Sequence, residues 1–138
     1  MSDCIPGGRK LARDLFSDIT QLTLTRTLDA TVARQKSIAN NIANVETPGY
    51  KRVFVSFENE LRSALEEPIA SSRKSLLQNL TPVRKTDYVS PSKPDGNNVN
   101  IDAEMSDLAK NQLQNKAATT LMQAKLSIMR AAISEGKK

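Results

Sequence analysis

Ala39-Asn40-Asn41-Ile42-Ala43-Asn44-Val45-Glu46-Thr47-Pro48-Gly49-Tyr50-Lys51 reads as a helix driven into a stop. Ala and Ile favour the helix, three Asn residues interrupt them, and Thr-Pro-Gly ends it. The Pro48 ring clashes with an α conformation at Thr47, so the helix has to finish before that residue. Pro followed by Gly suits a type II turn. The ring fixes φ at the first central position, and Gly admits φ > 0 at the second.

Upstream of the stop, a 4-3 spacing runs through Leu24, Leu28, Thr31, Gln35, Ile38, Ile42 and Val45. That is a heptad seam with two polar members at its middle. Ala39 and Ala43 widen the seam and permit close approach of another helix. The pattern predicts an N-terminal helical unit over 11–47, the helix itself running from near Leu11 to Asn44. Thr20, Thr23, Thr25 and Thr27 weaken its first half. Residues 1–10, with Pro6-Gly7-Gly8, read as a disordered leader.

Downstream, residues 48–68 read as the turn, an extended arm and a short helix. Val53, Val55 and Phe57 share one face at period two, which predicts an extended segment. Ser56 is then placed to cap a helix over Phe57 to Glu67, with Glu58 and Glu60 favourable in its first turn. Residues 69–100 are polar and carry Pro82, Pro91, Pro94 and Gly96. They read as a variable connection with at most a short hairpin around Val83–Val89. Within 101–135, Asp102 looks like the N-cap of a long helix from Ala103 to Ser134, and Gly136 like its terminator. The 4-3 series of this helix is Ile101, Met105, Leu108, Gln112, Asn115, Thr119, Met122, Leu126, Met129 and Ile133. Leu113, Ala117, Leu121, Ala124 and Ile128 form a second apolar stripe.

Length decides the shape. A 30-residue helix is about 45 Å long. A compact chain of 138 residues has a radius of gyration of about 14 Å, equivalent to a sphere roughly 37 Å across. The expected fold is therefore mainly α and elongated, a single domain over 11–138. Its long N- and C-terminal helices pack as an antiparallel coiled-coil-like pair, with the short extended segment and polar connection between them. Thr31 and Gln35 are expected to face Gln112, Asn115 and Thr119 across that pair. The second stripe is left over. Burying one Leu, Ile or Met is worth about 1.5–3 kcal/mol, so the stripe implies a neighbouring subunit or a loosely ordered free state. A closed monomeric bundle with the short helix as third wall is the alternative.

Composition narrows the function by exclusion. The chain has no His and a single cysteine, Cys4. It therefore lacks the commonest general base, a Cys-based zinc site and any internal disulfide. Its five Gly residues are scattered, and none forms a phosphate-cradling loop. No enzymatic chemistry and no cofactor are expected. The net charge is +5, from 20 basic and 15 acidic residues in runs of no more than two. That pattern reads as a mixed solvated surface rather than a nucleic-acid groove. Residues 1–20 hold no continuous apolar run, and no stretch reaches the ~18 apolar residues of a membrane span. The expectation is a cytoplasmic chain, or one exported without a cleaved signal peptide.

Ile38-Ala39-Asn40-Asn41-Ile42-Ala43-Asn44-x-x-Thr47-Pro48-Gly49-Tyr50-Lys51 resembles the N-terminal signature of the bacterial flagellar rod and hook proteins, a helix ending in N-I-A-N-x-x-T-P-G-Y. Asp95-Gly96-Asn97-Asn98-Val99-Asn100-Ile101-Asp102-x-Glu104, with residues 105–111 after it, resembles the C-terminal region of the B-type proximal rod proteins in that family. Distal rod and hook proteins carry an E-A-x-R-x-Y-like segment where this chain has Lys110-Asn111-Gln112-Leu113-Gln114-Asn115-Lys116. The resemblance covers about residues 24–67 and 95–134. Val45-Glu46 stands where the B type usually has Ala-Asp, and the leader is longer than usual.

The resemblance implies a structural subunit of the proximal rod, in the periplasmic basal body of the bacterial flagellum. Such a subunit self-assembles through its terminal helices to help form the drive shaft and export channel, and leaves by flagellar type III export. Its implied partners are other rod subunits, a FliE-type adaptor and export-gate proteins at the rod base, with no nucleic acid and no direct membrane span. The family turn falls on Asn40, Asn41, Asn44, Thr47, Pro48, Gly49 and Tyr50. The assembly helices present Leu24, Leu28, Ile38, Ile42 and Val45 on one side. They present Met105, Leu108, Leu113, Leu121, Met122, Leu126, Met129 and Ile133 on the other. The alternatives are the other short proximal rod protein, the C type, and, from another class, a basic helical nucleic-acid-binding adaptor. The adaptor needs its cations on one face, and Lys110, Lys116, Lys125 and Arg130 do not form one clean stripe.

Overall fold

The computed structural model describes residues 18–135. Its elements in order are α1 (Asp18–Ala43), β1 (Val53–Ser56), α2 (Glu58–Glu66), α3 (Ala70–Asn79), β2 (Val83–Thr86) and α4 (Ile101–Glu135). The leader 1–10 with Cys4, the first turns expected from Leu11, and Gly136 lie outside the described residues.

The chain is mainly helical, and α1 packs along α4. Asn41 meets Glu104, while ten residues earlier Thr31 meets Asn111 and Asn115, so the two helices run antiparallel. With 35 residues against 26, α4 is about 52 Å long and α1 about 39 Å. The last turns of α4 therefore project past the first described turn of α1.

The seam between them is more polar than the apolar pattern predicts. On α1 the buried residues are Ala30, Thr31, Ser37, Ile38 and Asn41; on α4 they are Glu104, Asn111 and Ala118. Leu108, Asn115, Met122 and Met129 are half-buried beside them, whereas Met105, Gln112, Leu126 and Ile133 are exposed. The real 4-3 row thus keeps Leu108, Asn115, Thr119, Met122 and Met129 of the predicted one and turns in Glu104 and Asn111 in place of Met105 and Gln112. Bonds fix this rotation. Asn111 Nδ2 donates to the Thr31 carbonyl at 2.9 Å, and Asn115 Nδ2 to Thr31 Oγ1 at 2.9 Å. Of the polar pair expected on α1, only Thr31 makes the predicted contact, since Gln35 and its expected partner Gln112 are both exposed. Small residues at Ala30, Ser37 and Ala118 let the backbones approach.

The connection is more structured than its sequence suggests. A ten-residue helix, α3, stands where coil was expected. Leu77 is fully buried and Arg26 donates to the carbonyls of Leu77 and Gln78 at 3.1 and 2.5 Å, fastening α3 to α1. One buried Leu in a polar, Ser-rich stretch leaves no periodic signal, so only the packing reveals this helix. Likewise Val83–Thr86 forms no local hairpin. It pairs antiparallel with β1, Val53 opposite Thr86 and Ser56 opposite Val83.

Both predicted caps move. Phe57, not Ser56, occupies the N-cap position of α2 without a side-chain cap bond, and Ser56 Oγ donates to Glu60 at 3.3 Å instead. At α4 the cap is Asn100, whose Oδ1 accepts from the N–H groups of Asp102 at 2.9 Å and Ala103 at 3.4 Å.

Candidate assembly joint

The Asn-rich end of α1 is built around Asn41, which is fully buried. Its Nδ2 donates to the Val53 carbonyl at 2.9 Å and to Glu104 Oε2 at 3.1 Å. Its Oδ1 accepts from Val53 N–H at 2.9 Å and from the Tyr50 hydroxyl at 3.3 Å. A side-chain amide has two donors and two acceptor sites, and Asn41 uses all four. Toward Val53 it behaves as a neighbouring strand would. One residue therefore ties α1, β1 and α4 together.

Glu104, with a fully buried side chain, forms the other half of the joint. Arg52 Nε donates to its Oε1, and Arg52 also donates to Asp107 Oδ2 at 2.8 Å. Burial pulls the Arg52 guanidinium down, but the Glu104 hydrogen bond and the charges of Glu104, Asp107 and Asp87 more than offset it, so its pKa stands above the ordinary arginine value. The backbone of Arg52 is held as well: its N–H donates to Asn98 Oδ1 at 2.7 Å, and its carbonyl accepts from Asp87 N–H at 2.8 Å. Asn98 Nδ2 then closes back on the Asp87 carbonyl at 2.8 Å.

The turn is clamped from across the chain. Thr47–Tyr50 closes with a Tyr50 N–H bond to the Thr47 carbonyl at 3.2 Å, and Gly49 sits at φ +72°, as a type II turn requires. Asn97 is buried, and its Nδ2 lies 2.9, 3.2 and 2.9 Å from the carbonyls of Asn44, Val45 and Thr47. Helix C-termini leave carbonyls without intrahelical partners, and here a residue some fifty positions away supplies the donor. Gly49 N–H reaches the Asp95 carbonyl at 2.9 Å, and Lys51 Nζ reaches the Gly96 carbonyl at 2.8 Å. Gly96 lies at φ +81°, where a Cβ would stand 3.5 Å from Gly49 Cα.

The fold thus brings the residues of the predicted turn to one place. Asn41 forms its buried core with half-buried Tyr50 against it, and Asn44 and Thr47 bond each other at 3.2 Å. Asn40, Pro48 and Gly49 lie at its surface. Arg52, Asn97, Asn98 and Asp107 belong to it equally. The resemblance of residues 95–104 to a rod-protein region was the available signal, but nothing in one sequence says that this segment folds onto the first. Glu104, in the first turn of α4, is a buried ion partner.

Of the apolar helix residues, Ile38 is buried, Leu24, Leu28, Ile42, Val45, Leu108, Met122 and Met129 are half-buried, and Met105, Leu113, Leu121, Leu126 and Ile133 are exposed. Beside the joint a cavity of about 290 Å³ is lined by Arg34, Phe54, Val55, Lys110, Asn111 and Gln114 among others. Asn111 Oδ1, buried next to it, has no hydrogen-bond partner among the described residues. The carboxylate of Glu104 is committed to Asn41 and Arg52, so the joint is built to hold geometry. Among the described residues no group of His, Cys, Asp or Glu could hold a metal ion. No helix among them is long and apolar enough to cross a membrane.

Residues 22–51 match the family described as flagella basal body rod protein. The chain is similar to the flagellar basal body rod protein FlgB of Borrelia hermsii, 42% identical over 102 residues, covering 64% of this chain and 76% of the relative. It is 34% identical over 128 residues to the FlgB of Bacillus subtilis, covering 89% of this chain and 98% of the relative. It is also 29% identical over 122 residues to the FlgB of Escherichia coli, covering 79% and 88%. With both halves of the joint in place and relatives aligned across them, the chain belongs to the FlgB family of flagellar basal body rod proteins.

Proposed function

We propose that this rod protein is a subunit of the proximal rod, on the periplasmic side of the basal body, and that it assembles through its terminal helices. The observation that carries the reading is the joint itself. Two stretches about fifty residues apart, each resembling a rod-protein motif, lock by Asn41–Glu104, Asn97–Thr47 and Gly49–Asp95 bonds. Such a joint sets the angle between a helix pair and the sheet-bearing part of the chain. Leu113, Leu121 and Ile128 on α4 are 71%, 59% and 59% exposed, which gives the helix pair an apolar surface to bury against neighbours. In this reading the helices line the tube that serves as drive shaft and export channel. Other rod subunits, a FliE-type adaptor and the export-gate proteins are its neighbours, and export proceeds without a cleaved signal.

The test is deletion of the gene in its own bacterium, with cryo-imaging of basal bodies. The expected result is loss of the rod and of swimming, restored by the full chain, with density for the chain at the rod base. Intact rods without the chain would overturn the proposal. Density placed in the distal rod would overturn its proximal assignment.

A further inference from the structure

We infer that the apolar outer stripe of α4, flanked on both sides by cations, is the seat for the acidic helix α2 of a neighbouring copy of this chain. The inference rests on the rod assignment above and adds which surface meets which. From Leu108 to Ser134, α4 carries Lys110, Lys116, Lys125 and Arg130 and no Asp or Glu. Leu113, Leu121 and Ile128 recur at steps of eight and seven residues, so they share one side of the helix.

Charge selects the occupant. Ala117 and Ala124 alternate with the large residues of the stripe, so a second α4 would fit it sterically. That contact would set four cations against four with no acid in either segment, and like charges brought together in an interface are unfavourable. The complementary surface is α2. Glu58, Glu60 and Glu66 lie on it and Glu67 follows, with Arg62 the helix's one cation; Glu58 pairs with Arg34 of its own chain at 2.5 Å, so Glu60, Glu66 and Glu67 carry the acidic surface. No other described helix carries a net negative charge. Beside these acids Leu65 is 39% and Ile69 60% exposed, which gives the acidic helix an apolar contact of its own.

Within one chain α2 packs on α3, and the α4 stripe stays open. A copy that lends α2 to one neighbour therefore keeps its stripe for the next. The contact is heterologous, so copies add head to tail, as a tubular assembly requires.

The test uses the full chain in its own bacterium, carrying Cys4→Ser, Leu65→Cys and Ile128→Cys, with a short bismaleimide linker applied to isolated basal bodies. The expected product is a ladder of this chain, dimer and beyond, that needs both cysteines. Separately, Lys116→Glu with Arg130→Glu should cut the adduct yield up to about tenfold, as should Glu66→Lys with Glu67→Lys, since two exposed ion pairs are lost. Combining the two reversals should restore it. All four positions are at the surface or half-exposed, and far-UV circular dichroism of the purified chains checks that they fold. Chain present in basal bodies without homotypic adducts overturns the inference, as does an adduct that stops at dimer or a combined reversal that fails to restore. These outcomes leave the rod assignment standing. A wild-type chain that never enters basal bodies overturns both.

Discussion

Asn41→Ala removes four hydrogen bonds at once, and its cost can be worked from the joint. The N–H and carbonyl of Val53 lose the side chain that serves them, and buried Glu104 keeps Arg52 but loses its amide donor. A buried polar group left without a partner costs about 1–3 kcal/mol. Three such groups, partly relieved by relaxation, put the loss at about 3–5 kcal/mol, a large share of the 5–15 kcal/mol that stabilises a typical domain. The neighbouring motif residue supplies the control. Asn40 is exposed, and Asn→Ala at an exposed helical site gains up to about 0.5 kcal/mol of helix propensity. Adjacent residues of one motif should therefore move stability in opposite directions. Urea unfolding of the purified full chain, followed by far-UV circular dichroism, reads the difference. Variants at 40 and 41 that agree within about 1 kcal/mol would refute the reasoning, that being the net value of one ordinary hydrogen bond. Asn41→Asp adds a diagnostic arm. It sets a second carboxylate against Glu104, so it should destabilise more than the Ala variant at neutral pH and recover on acidification.

Three further outcomes follow from the same geometry. Gly49→Ala and Gly96→Ala each force a side chain into the left-handed region, at φ +72° and +81°, and should each cost about 1–2 kcal/mol by urea unfolding, with Asn tolerated better than Ala. Asn97→Ala should uncover the carbonyls at the end of α1 and free the Val99 N–H that Asn97 Oδ1 accepts at 2.7 Å. Hydrogen exchange at Val99 should accelerate while the centre of α4 is unaffected. Asp87 is held below the ordinary carboxylate value by the Ser90 hydroxyl, then by the N–H groups of Ser90 and Val89. A lowered folded pKa gives stability that is present above the unfolded pKa and lost as pH falls through the folded one. Amides of Val89 and Ser90 should thus lose protection in acid, seen by NMR, and Asp87→Asn should abolish that transition.

The helix stop and the turn after it were decided by the sequence alone. Pro48 excludes helix at Thr47 and Gly49 admits φ > 0, so the stop and the turn need no partner to be specified. Helix length did the same for shape, because an α4 of about 52 Å cannot fit inside a compact domain of this size. What the tertiary structure decided is rotation and pairing. An apolar count favours Met105 at the seam, but Glu104 turns inward because Arg52 and Asn41 wait there, and burying a paired charge while exposing a Met is a choice only the assembled site can make. Val83–Thr86 reads equally well as half of a local hairpin until β1 claims it. Leu77 makes a helix of a polar stretch by burying one side chain. Asn97 caps a helix that ended fifty residues before it. In each case the deciding partner lies far along the chain, and the free energy of a hydrogen bond or a buried side chain exists only when that partner has arrived.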